Sequence, residues 1–155
     1  MVELDGPVLE LMSDARSRSQ PQLAALGQDV LGARFEHATF LRRLRADDPA
    51  RPIGDALLDQ GTVAGIGNLW KAETCFAVGI DPWRPLSRLR DEEAVALVDF
   101  AREHMRRSVE SGRRAPPREV YRRAGRPCPR CGERILQRGQ GENNRVTFWC
   151  PACQR

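Results

Sequence analysis

Apolar residues recur at helical spacing through the first two-thirds of the chain. Phe40, Leu41 and Leu44 form an apolar edge that predicts a helix over about 35–46, ended by Asp47-Asp48-Pro49. Ile53, Leu57 and Leu58 predict a second helix beginning after Pro52. A break at Gly61-Thr62, followed by Gly65, precedes a third helix over about 66–78, stopped by Gly79. The last helix opens at Asp91-Glu92-Glu93, with acids at its positive end, carries Arg106 and Arg107 near its negative end, and closes at Gly112. Ala94, Val98, Ala101 and Met105 repeat at spacings of four, three and four, a core-facing stripe.

Outside this block the pattern changes. Residues 2–12 read as a short extended piece leading into a polar loop, a strand with almost no sheet partner ahead of residue 128. Residues 113–127 read as a Gly-, Pro- and Arg-rich linker. Two strands, over 133–138 and 145–149, are expected around a Gly139-Gln140-Gly141 turn region. The organisation expected is a remnant strand and linker (1–20), a helical domain (21–112), a linker (113–127) and a small cysteine module (128–155). No internal repeat is visible.

With 155 residues, 41% of them hydrophobic, the chain has enough apolar surface for a modest core. No apolar run reaches the roughly 18–20 residues that a membrane helix requires. The first residues have neither the basic start nor the apolar stretch of an export signal, so a cytoplasmic protein is expected. Charge is divided unevenly. Residues 1–100 carry 16 acidic and 11 basic side chains, and residues 101–155 carry 5 acidic and 14 basic. All the basic residues but Lys71 are arginine, whose planar fork suits phosphate. The last third is therefore the part expected to face a polyanion.

Four of the five cysteines form one pattern: Cys128-x2-Cys131, an 18-residue gap, then Cys150-x2-Cys153. Each pair aims two sulfurs at one point, and together they supply a tetrahedral thiolate shell for a single structural Zn2+. A closed four-sulfur shell leaves no open position for catalysis. Cys75 stands apart in an apolar helical stretch and reads as a buried, inert thiol.

A second motif, Val63-Ala64-Gly65-Ile66-Gly67-Asn68-Leu69-Trp70-Lys71, lies at a helix entrance. Trp70 stands where a dinucleotide fingerprint needs glycine, so that reading fails. Gly65 and Gly67 offer backbone N–H groups at a helix N-terminus, and Asn68 adds an amide, a combination suited to an anion. A pair of packing glycines is the other reading these residues allow. His37 and His104 have no partner cluster and read as core-edge or surface groups. Lys71 reads as an exposed helical charge, and Trp149 as packing across the hairpin.

Asp59-Gln60-Gly61-Thr62-Val63-Ala64-Gly65-Ile66-Gly67-Asn68, followed by Gly79-Ile80-Asp81-Pro82, resembles the helix–two-turn–helix motif of the formamidopyrimidine-DNA glycosylase and endonuclease VIII family. Val120-Tyr121-Arg122-Arg123-Ala124-Gly125-Arg126-Pro127-Cys128-Pro129-Arg130-Cys131-Gly132, with Arg145-Val146-Thr147-Phe148-Trp149-Cys150-Pro151-Ala152-Cys153-Gln154, resembles that family's C-terminal zinc finger. The resemblance covers roughly residues 22–155. It implies a mainly α fold, a helix–two-turn–helix domain followed by a small four-Cys zinc-finger β-hairpin, with the family's N-terminal β-sandwich catalytic domain absent. It implies base-excision repair of oxidised bases, and the Trp70-Lys71-Ala72-Glu73 stretch looks more like the endonuclease VIII branch, which prefers pyrimidine lesions. Asn68 matches the family asparagine that bonds phosphates around an extruded nucleotide, and Arg145 matches the finger arginine that grips the same phosphates. The implied partner is double-stranded DNA, damaged or abasic, bound by a monomer.

The family nucleophile is an N-terminal proline amine beside a glutamate. Val2-Glu3 is only superficially similar to that start, so no catalytic residue is assigned, and binding without catalysis is expected. Two other readings stay open: a minimal abasic-site lyase using an N-terminal amine or Lys71, and a non-enzymatic zinc module that binds protein.

Overall fold

A computed structural model describes residues 20–112 and 118–155, together with Ser13 and Arg16. The extended piece expected over 2–12, and Val2-Glu3 within it, lie outside the described residues.

The elements run in chain order as α1 (Pro21–Ala24), β1 (Gln28–Asp29), α2 (His37–Arg45), α3 (Ile53–Leu58), β2 (Val63–Ala64), α4 (Asn68–Val78), a 3-10 turn (Leu86–Arg88), α5 (Asp91–Glu110), β3 (Leu136–Gln140) and β4 (Arg145–Trp149). Among the described residues the architecture is mixed, with helices and two small two-stranded sheets. None of the described helices is long and apolar enough to cross a membrane.

The expected helices form where their punctuation places them. Pro52 precedes α3 in an extended conformation, and Gly79 ends α4 in the left-handed region at φ 82°. Its N–H bonds back to Cys75 O and Phe76 O, closing the last turn. The stripe on α5 is buried as expected, with Leu97 joining Ala94, Val98, Ala101 and Met105. These residues meet Phe40, Leu44, Ile53, Leu57, Ile66 and Cys75 in the main core.

Three features depart from expectation. A short parallel pair, β1 with β2, precedes the cysteine module, with Gln28 opposite Val63 and Asp29 opposite Ala64. Two residues are too few to leave an alternation in the sequence. The hairpin turn lies at 141–144 rather than at Gly139-Gln140-Gly141, because Gln140 is held in β3, opposite Arg145. Its side chain is buried and donates to Pro82 O at 2.8 Å, which fixes it as strand. Finally, the described part of the expected linker, 118–127, is docked. The Glu73 carboxylate accepts the N–H groups of Glu119, Val120 and Tyr121 at 2.8–3.2 Å, and Val120 is fully buried.

The central helix α4 explains how these parts cohere. Residues 71–76 are buried without interruption. One side of the helix presents Cys75 to the main core, and the other presents Ala72 and Phe76 to a second core of Val120, Ile135, Phe148, Cys128 and Cys150. A helix buried all round, as α4 is here, serves as the shared wall between two hydrophobic cores.

Candidate functional site

The cysteine module lies along α4 and is tied to it at three levels. At the N-terminal end, Asn68 Nδ2 donates to Val146 O at 2.8 Å. At the middle, Lys71 Nζ bonds Gln140 Oε1 at 3.3 Å and Thr147 Oγ1. At the C-terminal end, the Arg130 guanidinium donates to Phe76 O at 2.7 Å and Ala77 O at 3.1 Å, and lies 4.2 Å over the Phe76 ring. A cation at the C-terminal carbonyls of a helix complements the negative end of its dipole.

The turn before α4 is built around Gln60. Its Oε1 accepts the Gly65 N–H at 2.8 Å, and its Nε2 bonds Leu58 O and Ile66 O at 3.1 and 3.3 Å. Gly65 has φ 102°, and a Cβ there would lie 2.9 Å from Val30 Cγ1. Its N–H is therefore not a free donor, contrary to expectation, and its role is to turn the chain. Gly67 differs: it is exposed, its φ is −102°, and a Cβ there would meet nothing within 4 Å. Lys71 N–H bonds Gly67 O at 2.9 Å as the first bond of α4, so the N–H groups of residues 68–70 have no partner four residues back in the helix.

Arg145 opens β4 and is exposed, next to the Val146 carbonyl held by Asn68. Among the described residues, no hydrogen bond or ion pair engages its guanidinium. A cleft of about 760 Å3 runs beside it, lined by Asp47, Asp55, Asp59, Glu142 and Arg145 among others. The acidic wall opposes a polyanion inside the cleft.

Lys71 corrects the sequence reading most sharply. It is fully buried rather than a surface charge, and burial lowers its pKa from the usual lysine value to about 8. An amine with no exposed surface is badly placed to attack a nucleic-acid sugar. Cys75 is buried as expected, and burial pushes its thiol up to about 12, which keeps it unreactive. His37 pairs with Asp99 at 2.7 Å, and His104 stacks on Phe100. Trp149 packs edge-on against Trp83, at 4.3 Å between ring centroids, rather than across the hairpin.

The four module cysteines converge, with all their sulfurs within 4.8 Å of one another. Cys128 to Cys153 is 3.9 Å and Cys131 to Cys150 is 3.5 Å. A tetrahedral ion with metal–sulfur bonds of about 2.3 Å sets its sulfurs about 3.8 Å apart. The cluster thus fits one four-coordinate metal ion. Gln154 supports it, accepting the Cys150 N–H at 2.8 Å while donating to Ile80 O at 3.0 Å.

Lys71, Arg130 and Gln140 dock the module and Glu73 docks the segment ahead of it, roles that the sequence alone does not assign. The only signal was the pair of charges, Lys71 and Glu73, inside an otherwise apolar helix.

Residues 26–116 match the family model described as the formamidopyrimidine-DNA glycosylase H2TH domain. A Streptomyces coelicolor protein named "Probable endonuclease 8 2" is 40% identical over 96% of this chain and 55% of its own length. The Mycolicibacterium smegmatis DNA-(apurinic or apyrimidinic site) lyase Nei2 is 37% identical over 99% of this chain and 61% of its own. The chain thus spans just over half the length of these relatives. Among solved structures, the Thermus thermophilus MutM (Fpg) protein superposes with a TM-score of 0.76 at 34% identity, over 89% of this chain and 57% of that one. Lactococcus lactis Fpg, non-covalently bound to DNA containing an AP site, superposes with a TM-score of 0.76 at 26% identity, over 90% and 54%.

Proposed function

The chain belongs to the formamidopyrimidine-DNA glycosylase and endonuclease VIII family, and on that premise we propose that it is the DNA-binding part of a base-excision glycosylase and abasic-site lyase. It grips the backbone of duplex DNA at a damaged or abasic site, through Arg145, Asn68 and the N–H groups beside Gly67, and performs no strand cleavage itself. Gly65 shapes this edge without touching the phosphate. The zinc ion is structural, held by Cys128, Cys131, Cys150 and Cys153, and stiffens the hairpin that carries Arg145. The parent activity acts on oxidised pyrimidines, the reading favoured by Trp70-Lys71-Ala72-Glu73.

The observation that carries this reading is the Asn68–Val146 hydrogen bond. It brings the strand that carries an exposed arginine to the N-terminal end of α4. A guanidinium, an amide and helix N–H groups suit a phosphate and carry no base sequence. The burial of Lys71 supports binding without catalysis, because it removes one of the amines a minimal lyase would use.

The test is salt-dependent binding to a duplex with one abasic site. Arg145→Ala should weaken binding and lower the slope of log affinity against log salt by about one unit. An unchanged slope would take Arg145 out of the interface. Borohydride trapping on the same duplex should give no covalent band, and a band would overturn the non-catalytic reading.

A further inference from the structure

Lys71 is the only lysine in the chain, and it occupies a position where a lysine is costly. A buried ammonium usually sits against a carboxylate, yet the two acceptors of Lys71 are neutral: Thr147 Oγ1 and Gln140 Oε1. The charged and titratable groups around it are Asp55 on α3, which attracts it, Arg145 on β4, which repels it, and the Cys75 thiol on its own helix.

These two acceptors define what the lysine holds. Gln140 stands directly opposite Arg145 in the β3–β4 register, and Thr147 lies two residues along β4. Strand alternation puts Gln140, Arg145 and Thr147 on one face of the hairpin. Thr147 Oγ1 also donates to Gln140 Oε1 at 2.8 Å, which joins the two strands to each other as well as to the lysine. Two glycines let the hairpin end close this far. A Cβ on Gly54 would lie 2.6 Å from Gln140 Oε1, and one on Gly141 would lie 2.7 Å from Asp55 Oδ1. The module's other anchors do not involve Lys71: Arg130, the Phe76–Ile135–Phe148 core, and at the hairpin end the Gln140–Pro82 and Asn68–Val146 hydrogen bonds.

We propose that Lys71 is a positioning residue for the DNA contact of Arg145: from inside the fold it ties both strands of the hairpin end to α4, and so sets where Arg145 stands beside Asn68. The proposal rests on the reading that Arg145 contacts the DNA backbone. A side chain of similar shape without the ammonium leaves the metal cluster and second core in place. It removes the tie that joins Gln140 and Thr147 to α4, and the strand position that carries Arg145 is then held less firmly.

The test is a double-mutant cycle in the full chain. Lys71→Met, Thr147→Val, Arg145→Ala and Lys71→Met with Arg145→Ala are titrated with a duplex bearing one tetrahydrofuran abasic-site analogue. Metal content and melting temperature monitor the fold. Lys71→Met and Thr147→Val should each weaken binding about tenfold, the scale of one hydrogen bond to a charged group. In the Arg145→Ala background, Lys71→Met should weaken it no further. Unchanged affinity in Lys71→Met, or an equal loss with and without Arg145, overturns the proposal. Wild-type affinity in Arg145→Ala alone instead removes the premise, an outcome recognisable whatever Lys71→Met does. The unsubstituted chain gives an independent readout: with ε-15N-lysine it has a single side-chain resonance, expected to titrate below the ordinary lysine range because the amine is buried. That resonance should move when the duplex saturates the protein, and a resonance that stays fixed overturns the proposal.

Discussion

Gly65 and Gly67 stand two residues apart in the sequence and do different work. The left-handed backbone of Gly65 and its closeness to Val30 leave no room for a side chain, whereas Gly67 faces open space in an ordinary conformation. Gly65→Ala should therefore cost about 1–3 kcal/mol of folding stability, the range of a strained backbone position. Gly67→Ala should cost less than about 1 kcal/mol, as an exposed N-cap change. If Gly67 admits a phosphate, Gly67→Ala should weaken DNA binding while leaving the melting curve nearly in place. Urea denaturation and a binding titration on both variants check the pair, and equal stability losses would contradict the assignment.

At the scale of elements, α5 shows how a helix start carries a pH dependence. Glu93 accepts the Arg90 N–H at 2.9 Å and pairs with Arg84 at 2.9 Å. That backbone hydrogen bond, with the neighbouring arginines, holds the carboxyl down at about 2 against an ordinary 4.5. A depressed carboxyl stabilises the fold above its unfolded pKa. The contribution is complete above about pH 4.5 and disappears as pH falls through about 2. Glu93→Gln should lower stability by about 1 kcal/mol at pH 7, the usual value of an N-terminal cap. The gap from wild type should close between pH 4.5 and pH 2, in melts across that range. A gap that persists at pH 2 would mean that the side chain acts through packing instead.

At the scale of the molecule, two cores share one wall, and of the two only the second includes cysteines of the four-sulfur cluster. Ion removal should therefore act unequally. Metal binding supplies about 10–16 kcal/mol to small four-ligand modules of this kind. A thiol-competent chelator should undo the hairpin, abolish the Trp83–Trp149 near-ultraviolet signal and eliminate DNA binding. Helical far-ultraviolet ellipticity should largely remain, because α2, α3 and α5 pack in the main core. Loss of helix and hairpin in one transition would show instead that the wall cannot stand with one core missing.

Much of this was legible in the chain. Helix limits were readable because prolines, glycines and acidic runs act on the backbone within a turn of where they stand, and α3, α4 and α5 begin and end at them. The metal cluster was readable because C-x2-C is a local geometry, and two such turns need only meet. Gly65, Gly67 and Asn68 were legible as the entrance of α4, although not the different backbone roles of the two glycines. That difference depends on Val30 and Gln60, neither of which belongs to the pattern. The burial of Lys71 was hidden for the same reason: two charges in an otherwise apolar helix mark it as unusual, yet nothing local tells whether the lysine faces solvent or interior. Tertiary structure decided it, by bringing Gln140 and Thr147, some seventy residues away, onto the buried face of α4. Turn chemistry and periodicity act over a few residues and can be read along the chain. A hydrogen-bond partner across two cores exists only once both have folded against the same helix.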